Sequence, residues 1–201
     1  MKYRISVIMG IYNCAPTLRE AFDSMLAQTY KGFKVIMCDD GSKDDTYAIA
    51  KEYANKYENF IVIKNKYNMK LAATLNHCIE YVDTEFIARM DGDDISVPNR
   101  FETLINFLDA HPEYAFVSSA MTHFDENGDW KVTRKEPEPT INSFKRTSPF
   151  CHAPVLMRTE ALRAIGNYTA EQKVERMEDY YLWHKFYCAG YKGYNREGRV
   201  Y

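Results

Sequence analysis

The stretch Phe86-Ile87-Ala88-Arg89-Met90-Asp91-Gly92-Asp93-Asp94 decides how this chain is read. An apolar run passes directly into three carboxylates, with Gly92 set among them. Carboxylates this close repel one another, so they are costly unless water or a bound cation offsets their charge. At the end of a buried strand the cation becomes the stronger reading, and Gly92 lets backbone or ligand approach closely. Hard oxygen ligands of this kind suit Mg²⁺ or Mn²⁺, usually shared with substrate phosphates. The plainer reading is an acidic turn that caps the next helix.

Upstream, strands and helices alternate. Ile5–Met9, Phe33–Cys38, Phe60–Ile63 and Phe86–Met90 are short apolar runs with branched residues, as buried parallel strands require. Between them, Leu18, Phe22, Met25 and Leu26 recur at helical spacing behind Pro16, which suits a first turn. Ala48, Ile49 and Tyr53 mark a second helix, for which Ser42 and Asp45 resemble a capping box. Leu71 to Val82 marks a third. This β-α-β-α-β-α-β order predicts an α/β fold, with a mostly parallel central sheet flanked by helices. Right-handed crossovers then bring Tyr12-Asn13, Asp39-Asp40 and Asp91–Asp94 to one sheet edge, where such sheets bind ligands. Loops are polar in any case, but three polar clusters each following a strand favour a shared site.

Downstream the pattern is more mixed. A helix starts at Pro98-Asn99-Arg100 and stops before Pro112. Tyr114–Ser118 reads as a strand, and Asn127-Gly128 as a turn between Met121–Asp125 and Trp130–Thr133. Lys131–Pro139 reads as a loop. Val155–Met157 is a strand, after which Thr159 caps a short helix ending at Gly166. Glu171–Arg176 has no core face. Glu178-Asp179 opens a helix that ends near Gly190, and Arg196–Tyr201 begins an element the chain does not finish. No linker separates a second domain, so residues 1–201 are expected to form one, with 96–201 as a smaller, more mixed layer on the sheet of 1–95.

Composition narrows the function class. The 201 residues are 46% hydrophobic and 27% charged, which suits a water-soluble globular domain with a sizeable core. A net charge of −2 offers no polyanion-binding surface, so no nucleic-acid partner is expected. Sixteen Tyr and eleven Phe can serve core, sugar stacking or an interface. The five Cys are scattered, odd in number and without a CxxC, which argues against a disulfide framework or zinc site and fits a reducing, cytoplasmic compartment. The N-terminal apolar run is too short for a signal peptide, and no stretch is long enough to span a bilayer.

Four ordered motifs carry a resemblance. They are Ser24-Met25-Leu26-Ala27-Gln28-Thr29-Tyr30 with Asp39-Asp40-Gly41-Ser42, then Asp91-Gly92-Asp93-Asp94 followed by Pro98-Asn99-Arg100, then Gly166-Asn167-Tyr168, and Glu178-Asp179-Tyr180-Tyr181-Leu182-Trp183. Together, over nearly the whole chain, they resemble a family 2 inverting glycosyltransferase. The resemblance implies a GT-A fold, a nucleotide-sugar donor (a UDP-sugar as first guess) and a carbohydrate or lipid-linked acceptor. It also implies that 1–95 is the nucleotide-sugar-binding half and 96–201 the acceptor-side half. It places Tyr12 in the nucleobase pocket, with Ile11 and Asn13 beside it, and Asp40 on the base. Asp91 would meet the ribose or the metal, with Gly92 at the substrate. Asp93 would be the direct ligand of Mn²⁺ or Mg²⁺. Asp179 would be the catalytic base and Glu178 its substrate-side neighbour.

Two departures stand out. Lys70 occupies the family's usual Gly position, and Leu75-Asn76 replaces Arg-Asn, so a cation expected near the diphosphate is missing unless Lys70 supplies one. His152 reads as a structural hydrogen-bonding residue, with an acceptor or diphosphate contact as the alternative. Family members continue beyond a segment like Arg196–Tyr201, often to cover the site or touch membrane. The chain is therefore expected either to be shortened at its C-terminus, with peripheral association at the inner membrane face through the missing part, or to be a minimal enzyme. A nucleotidyltransferase on the same scaffold, or a catalytically silent nucleotide-sugar binder, are the alternatives. Against the first, Gly10-Ile11-Tyr12-Asn13 lacks the cation of a phosphate loop.

Overall fold

Every residue of Phe33–Asp39 is buried, which only a strand with neighbours on both edges and layers on both faces can satisfy. The computed structural model describes residues 2–145 and 147–199 and places this strand, β2, between β1 (Ile5–Ile11) and β3 (Phe60–Lys64). Strand β4 (Phe86–Arg89) lies on the other side of β1, and all four run parallel. Beyond β4 the sheet turns mixed. β7 (Leu156–Arg158) is antiparallel to both β4 and β5 (Phe116–Asp125), while β8 (Gly193–Arg199) runs parallel to β5. β6 (Gly128–Thr133) folds back on the outer half of β5. The order β3-β2-β1-β4-β7-β5-β6 is a mostly parallel core with a mixed flank.

The period of two along each strand sorts side chains into two cores. Ile5, Val7, Met9, Phe33, Val35, Phe86 and Ala88 point to one face, under α1 (Ala15–Leu26), α2 (Thr46–Lys56) and α4 (Arg100–Ala110). Ile8, Ile36, Cys38 and Ile87 point to the other, under α3 (Leu71–Ile79), α5 (Thr159–Ala164) and α6 (Glu178–Cys188). There Trp183, fully buried, stacks on Phe116 at 4.8 Å between ring centres.

Several expectations are corrected. Ser42 does not cap α2, and neither does the Asp45 side chain. The Ser42 hydroxyl instead accepts from the Asn13 amide at 3.0 Å, and Asp44 accepts from Thr46 at 3.1 Å. Thr159 does not cap α5 but lies inside it, its hydroxyl buried without a hydrogen bond. Tyr114–Ser118 and Met121–Asp125 belong to one strand starting at Phe116, because β8 pairs across Phe116–Ala120 and so bridges Ser119 and Ala120 between them. The first residues of the expected loop Lys131–Pro139 complete β6. α3 stops at Ile79, although Val82 is still buried. Val174 gives the polar segment 171–176 one buried anchor. The unfinished C-terminal element proves to be β8, with Val200 and Tyr201 outside the described residues.

The loop that follows the acidic turn is clamped from α1. The buried Gln28 donates to Ser96 Oγ (3.1 Å) and the Val97 carbonyl (2.7 Å), and its Oε1 accepts from the Phe101 amide (3.1 Å). Ser24 Oγ accepts from the Ser96 amide at 3.0 Å. Gln28→Ala strands these groups inside the protein, so it should cost about 2–3 kcal/mol and lower Tm by roughly 5–10 °C. Thermal melts of the two proteins side by side check this, and a shift within about 1 °C would show that the clamp contributes nothing.

Candidate active site

The C-terminal ends of β1, β2 and β4 lie together, as the crossovers demand. Ile11 and Asp39 are level in neighbouring strands, and Asp91 emerges two residues beyond the end of β4. The Ile11 side chain belongs wholly to the core. What it offers this edge is its carbonyl, which accepts from the Asp40 amide at 2.9 Å. Tyr12 stands half-exposed at the rim. Asn13 takes a positive φ of 48°, and its Oδ1 accepts from the Lys43 amide at 2.9 Å, closing the β1 loop onto the β2 loop. The first amides of α1 are satisfied from the same loop. Cys14 donates to Thr46 Oγ1 (2.8 Å) and Ala15 to Asp44 Oδ2 (3.1 Å). A helix start without its own cap is thus closed by side chains 29 to 32 residues away.

Asp40 is buried, and its carboxylate organises the approach to α3. It accepts from Asn65 Nδ2 (2.8 Å), the Met69 amide (2.8 Å) and the Lys70 amide (3.0 Å). A carboxylate has about four acceptor positions, so one remains for a ligand. Lys70 adopts φ 72°, the left-handed conformation that explains why glycine suits this position. Its ammonium lies 3.6 Å from Glu175, and Leu75 is fully buried. Asn76 faces a different partner: it grips the Tyr168 backbone twice, donating to its carbonyl (2.8 Å) and accepting from its amide (3.0 Å).

The acidic loop holds the densest charge. Asp91, Asp93 and Asp94 present oxygens within 4.8 Å of one another; Asp93 is exposed and the other two half-buried. Gly92 between them is buried. A Cβ there would sit 2.6 Å from Cys14 Sγ, and its carbonyl accepts from Thr17 Oγ1 at 2.8 Å. Beneath the loop Arg89 pairs with Asp91. The fully buried Arg100 donates to the Arg89 carbonyl (2.6 Å) and the Ala153 carbonyl (2.8 Å), tying β4 to the chain entering β7. Oxygen donors alone, clustered and partly open to solvent, fit a divalent hard cation.

Glu178 and Asp179 occupy the first turn of α6, where the helix dipole favours negative charge. Asp179 Oδ2 accepts from Ser148 Oγ at 3.0 Å. A cavity of about 240 Å³ opens between Lys70 and Ala73 on α3's side and Thr169, Glu175 and Glu178 opposite. Tyr168 links its surroundings. Burial, offset in part by Arg89, pushes its phenol well up, and the charges of Asp179, Asp91 and Glu178 push the same way. The acidic loop and the start of α6 therefore act on one buried ring, and Asp40 reaches the cavity through the backbone of Lys70. His152 Nε2 meets the Tyr168 hydroxyl at 2.8 Å. Burial, with the nearby Arg89 charge, drives its pKa well below the ordinary imidazole value. This is the structural hydrogen-bonding role. Arg89, Ser148 and Asn65 were not singled out from sequence, and Arg100 entered only as the end of a motif, without a role. An arginine inside an otherwise apolar strand was the one available signal.

A mostly parallel sheet of this order, with an acidic turn after β4 and a carboxylate at the start of α6, is the GT-A scaffold of glycosyltransferases. The chain belongs to glycosyl transferase family 2, whose model matches residues 6–166, and it is a glycosyltransferase. It is 44% identical over 201 residues to the putative glycosyltransferase EpsE of Bacillus subtilis, covering 98% of this chain and 72% of that one. Among solved structures it superposes on S. aureus TarS 1-349 with a TM-score of 0.80 at 25% identity, covering 98% of this chain and 59% of that one. The mannosyltransferase PcManGT of Pyrobaculum calidifontis, solved with GDP-Man and Mn²⁺, shares the fold at a TM-score of 0.75 and 19% identity, over 98% and 55% of the two chains. The chain thus spans under two thirds of the solved structures it matches.

A half-buried His152 whose pKa is held below the ordinary imidazole value has a pH signature. Its folded pKa lies below the unfolded value near 6.5, so on acidification the unfolded chain binds a proton that the folded chain refuses. Stability should therefore fall below that pH by up to about 1.4 kcal/mol per pH unit from this group. In His152→Gln this part of the slope should vanish. Denaturant titrations between about pH 5 and pH 7 measure it, and equal slopes in both proteins would contradict the assignment.

Proposed function

We propose that this chain transfers a sugar, with inversion, from a nucleoside-diphosphate sugar to an acceptor hydroxyl, with Asp179 as the base and a divalent cation at Asp93 and Asp91. The observation that carries the reading is the convergence just described. Asp91, Glu178 and Asp179 all lie within electrostatic reach of the buried Tyr168, which Asn76 grips from α3. Tyr168 precedes Thr169 on the wall of a cavity large enough for a monosaccharide, with Glu178 and Lys70 on the same wall. TarS has been solved with UDP and with UDP-GlcNAc, which favours a UDP-sugar as donor. PcManGT's Mn²⁺ favours Mn²⁺ or Mg²⁺ as cofactor.

The chain's own groups divide the work. Tyr12 and Asn13, with Asp40 set behind them by Ile11, receive the base. Gly92 lets the loop beneath the donor pack directly on α1, because a Cβ there would sit 2.6 Å from Cys14 Sγ. The cation, when bound, supplies positive charge against the negative charge that develops on the departing diphosphate. Asp179 takes the proton from the acceptor hydroxyl as that oxygen attacks the anomeric carbon from the face opposite the leaving group. Ser148 orients the carboxylate by donating to one of its oxygens, which leaves the other to receive the proton. Glu178 borders the cavity and accepts hydrogen bonds from sugar hydroxyls. The acceptor is read as a carbohydrate or lipid-linked sugar in surface polysaccharide or glycolipid synthesis, with the enzyme at the cytoplasmic side of its membrane. Among the described residues no helix is long and apolar enough to cross a membrane.

Asp179→Asn removes the base and keeps the shape. Transfer should fall by about 10²- to 10⁴-fold, while UDP with Mn²⁺ still raises the melting temperature as it does in the unaltered protein. Chromatography of products from a set of nucleotide sugars gives the readout. Free nucleoside diphosphate with transferred sugar supports the reading; near-normal turnover by the variant would refute the role of Asp179. Pyrophosphate release would point instead to nucleotidyl transfer, and binding without turnover to a silent binder.

A further inference from the structure

Arg89 is the charged residue that the proposed chemistry leaves unused. It closes β4 and is buried, and its Nη2 pairs with Asp91 Oδ1 two residues on. Burying a guanidinium is expensive, so where its charge goes is informative. Of the three aspartates, Asp91 is engaged from below, whereas Asp93 stands exposed. Together the three carboxylates and Arg89 carry a formal charge of −2, equal and opposite to one divalent cation. The root of the side chain cannot drift, since the Arg89 carbonyl accepts from Arg100 Nη2 at 2.6 Å and its amide donates to the Val155 carbonyl at 3.4 Å. α3 brings no comparable charge, with Leu75 buried in the core and the Lys70 ammonium drawn to Glu175.

We propose that Arg89 is a positioning residue that holds Asp91 in an ion pair and so makes cation binding depend on the donor diphosphate. A cation arriving alone must compete with Arg89 for Asp91 and feels its positive charge at close range. A diphosphate arriving with the cation brings further oxygen ligands and negative charge that offset the guanidinium. Cation and nucleotide then bind cooperatively, and the loop stays formed between turnovers because Arg89 relieves the repulsion among its carboxylates. This inference rests on the cation reading above.

The test is Mn²⁺ titration followed by electron paramagnetic resonance, with and without UDP, on the unaltered protein, Arg89→Met and Arg89→Lys. Without UDP, Arg89→Met should bind Mn²⁺ roughly three- to tenfold more tightly, the size expected for removing one charge in a partly solvated setting. With UDP the gain should shrink, so the cooperativity between the two ligands falls by the same factor. Arg89→Lys keeps the charge and should stay within about twofold of the unaltered protein. If Arg89→Met does not melt cooperatively, Arg89→Gln makes the same comparison. Unchanged or weaker Mn²⁺ binding in a folded, charge-removed variant overturns the role given to Arg89. A different outcome separates the two readings: Mn²⁺ binding that is absent with UDP, or unaffected by Asp93→Asn, removes the cation site itself and Arg89's role with it.

Discussion

Mutual repulsion among Asp91, Asp93 and Asp94, balanced from beneath by Arg89, is the constraint around which this structure is arranged. Carboxylates held this close destabilise a loop unless opposite charge is near, and water alone screens poorly where two of the three are half-buried. Arg89 supplies that charge from the last position of β4, and Arg100 fixes the strand end by bonding its carbonyl. Two buried guanidiniums thus hold the strand end and the acidic loop in place.

The surrounding loops are held in the same spirit, by side chains reaching from one strand end to the next. Ser42 and Asn13 tie the β1 and β2 loops, Asp44 and Thr46 close the start of α1, and Gln28 with Ser24 clamps the segment after the acidic turn. Asn76 fixes Tyr168, which in turn meets His152. Much of what looks like a ligand-binding signature in this family's motifs is here internal bracing. Preorganisation of this kind is what electrostatic catalysis requires, because dipoles and charges that must first reorganise lose most of their advantage. The family's arginine position is filled by Leu75 in the core, so the positive charge nearest the acidic turn comes from the strand floor rather than from α3.

The first half of the fold was legible because buried parallel strands leave an unmistakable trace. Ile5–Met9, Phe33–Cys38 and Phe86–Met90 are apolar on both faces, and each runs straight into polar residues. The mixed flank was less legible. β5 was read as two pieces because its outer half is exposed and turns toward β6, and the pairing with β8 comes from 77 residues downstream at its Phe116–Ser119 end. Capping was misread at Ser42 and Thr159 for different reasons: Thr159 lies inside α5 with its hydroxyl buried and unbonded, whereas the Ser42 hydroxyl takes the partner the fold brings closer. For Ser42 that partner is the Asn13 amide of another loop.

By itself, the sequence determined the parallel α/β core and the edge on which the polar clusters gather, because those depend on local periodicity and on residue type, and it named the candidate carboxylates. Only the tertiary structure decided how those carboxylates are occupied. Asp40 braces the loop before α3, Asp91 is paired from below, Asp93 is left open to solvent and Asp179 is oriented by Ser148. Such assignments arise from contacts between segments far apart in the chain, and a charge's role follows from the partner the fold delivers rather than from its neighbours in sequence.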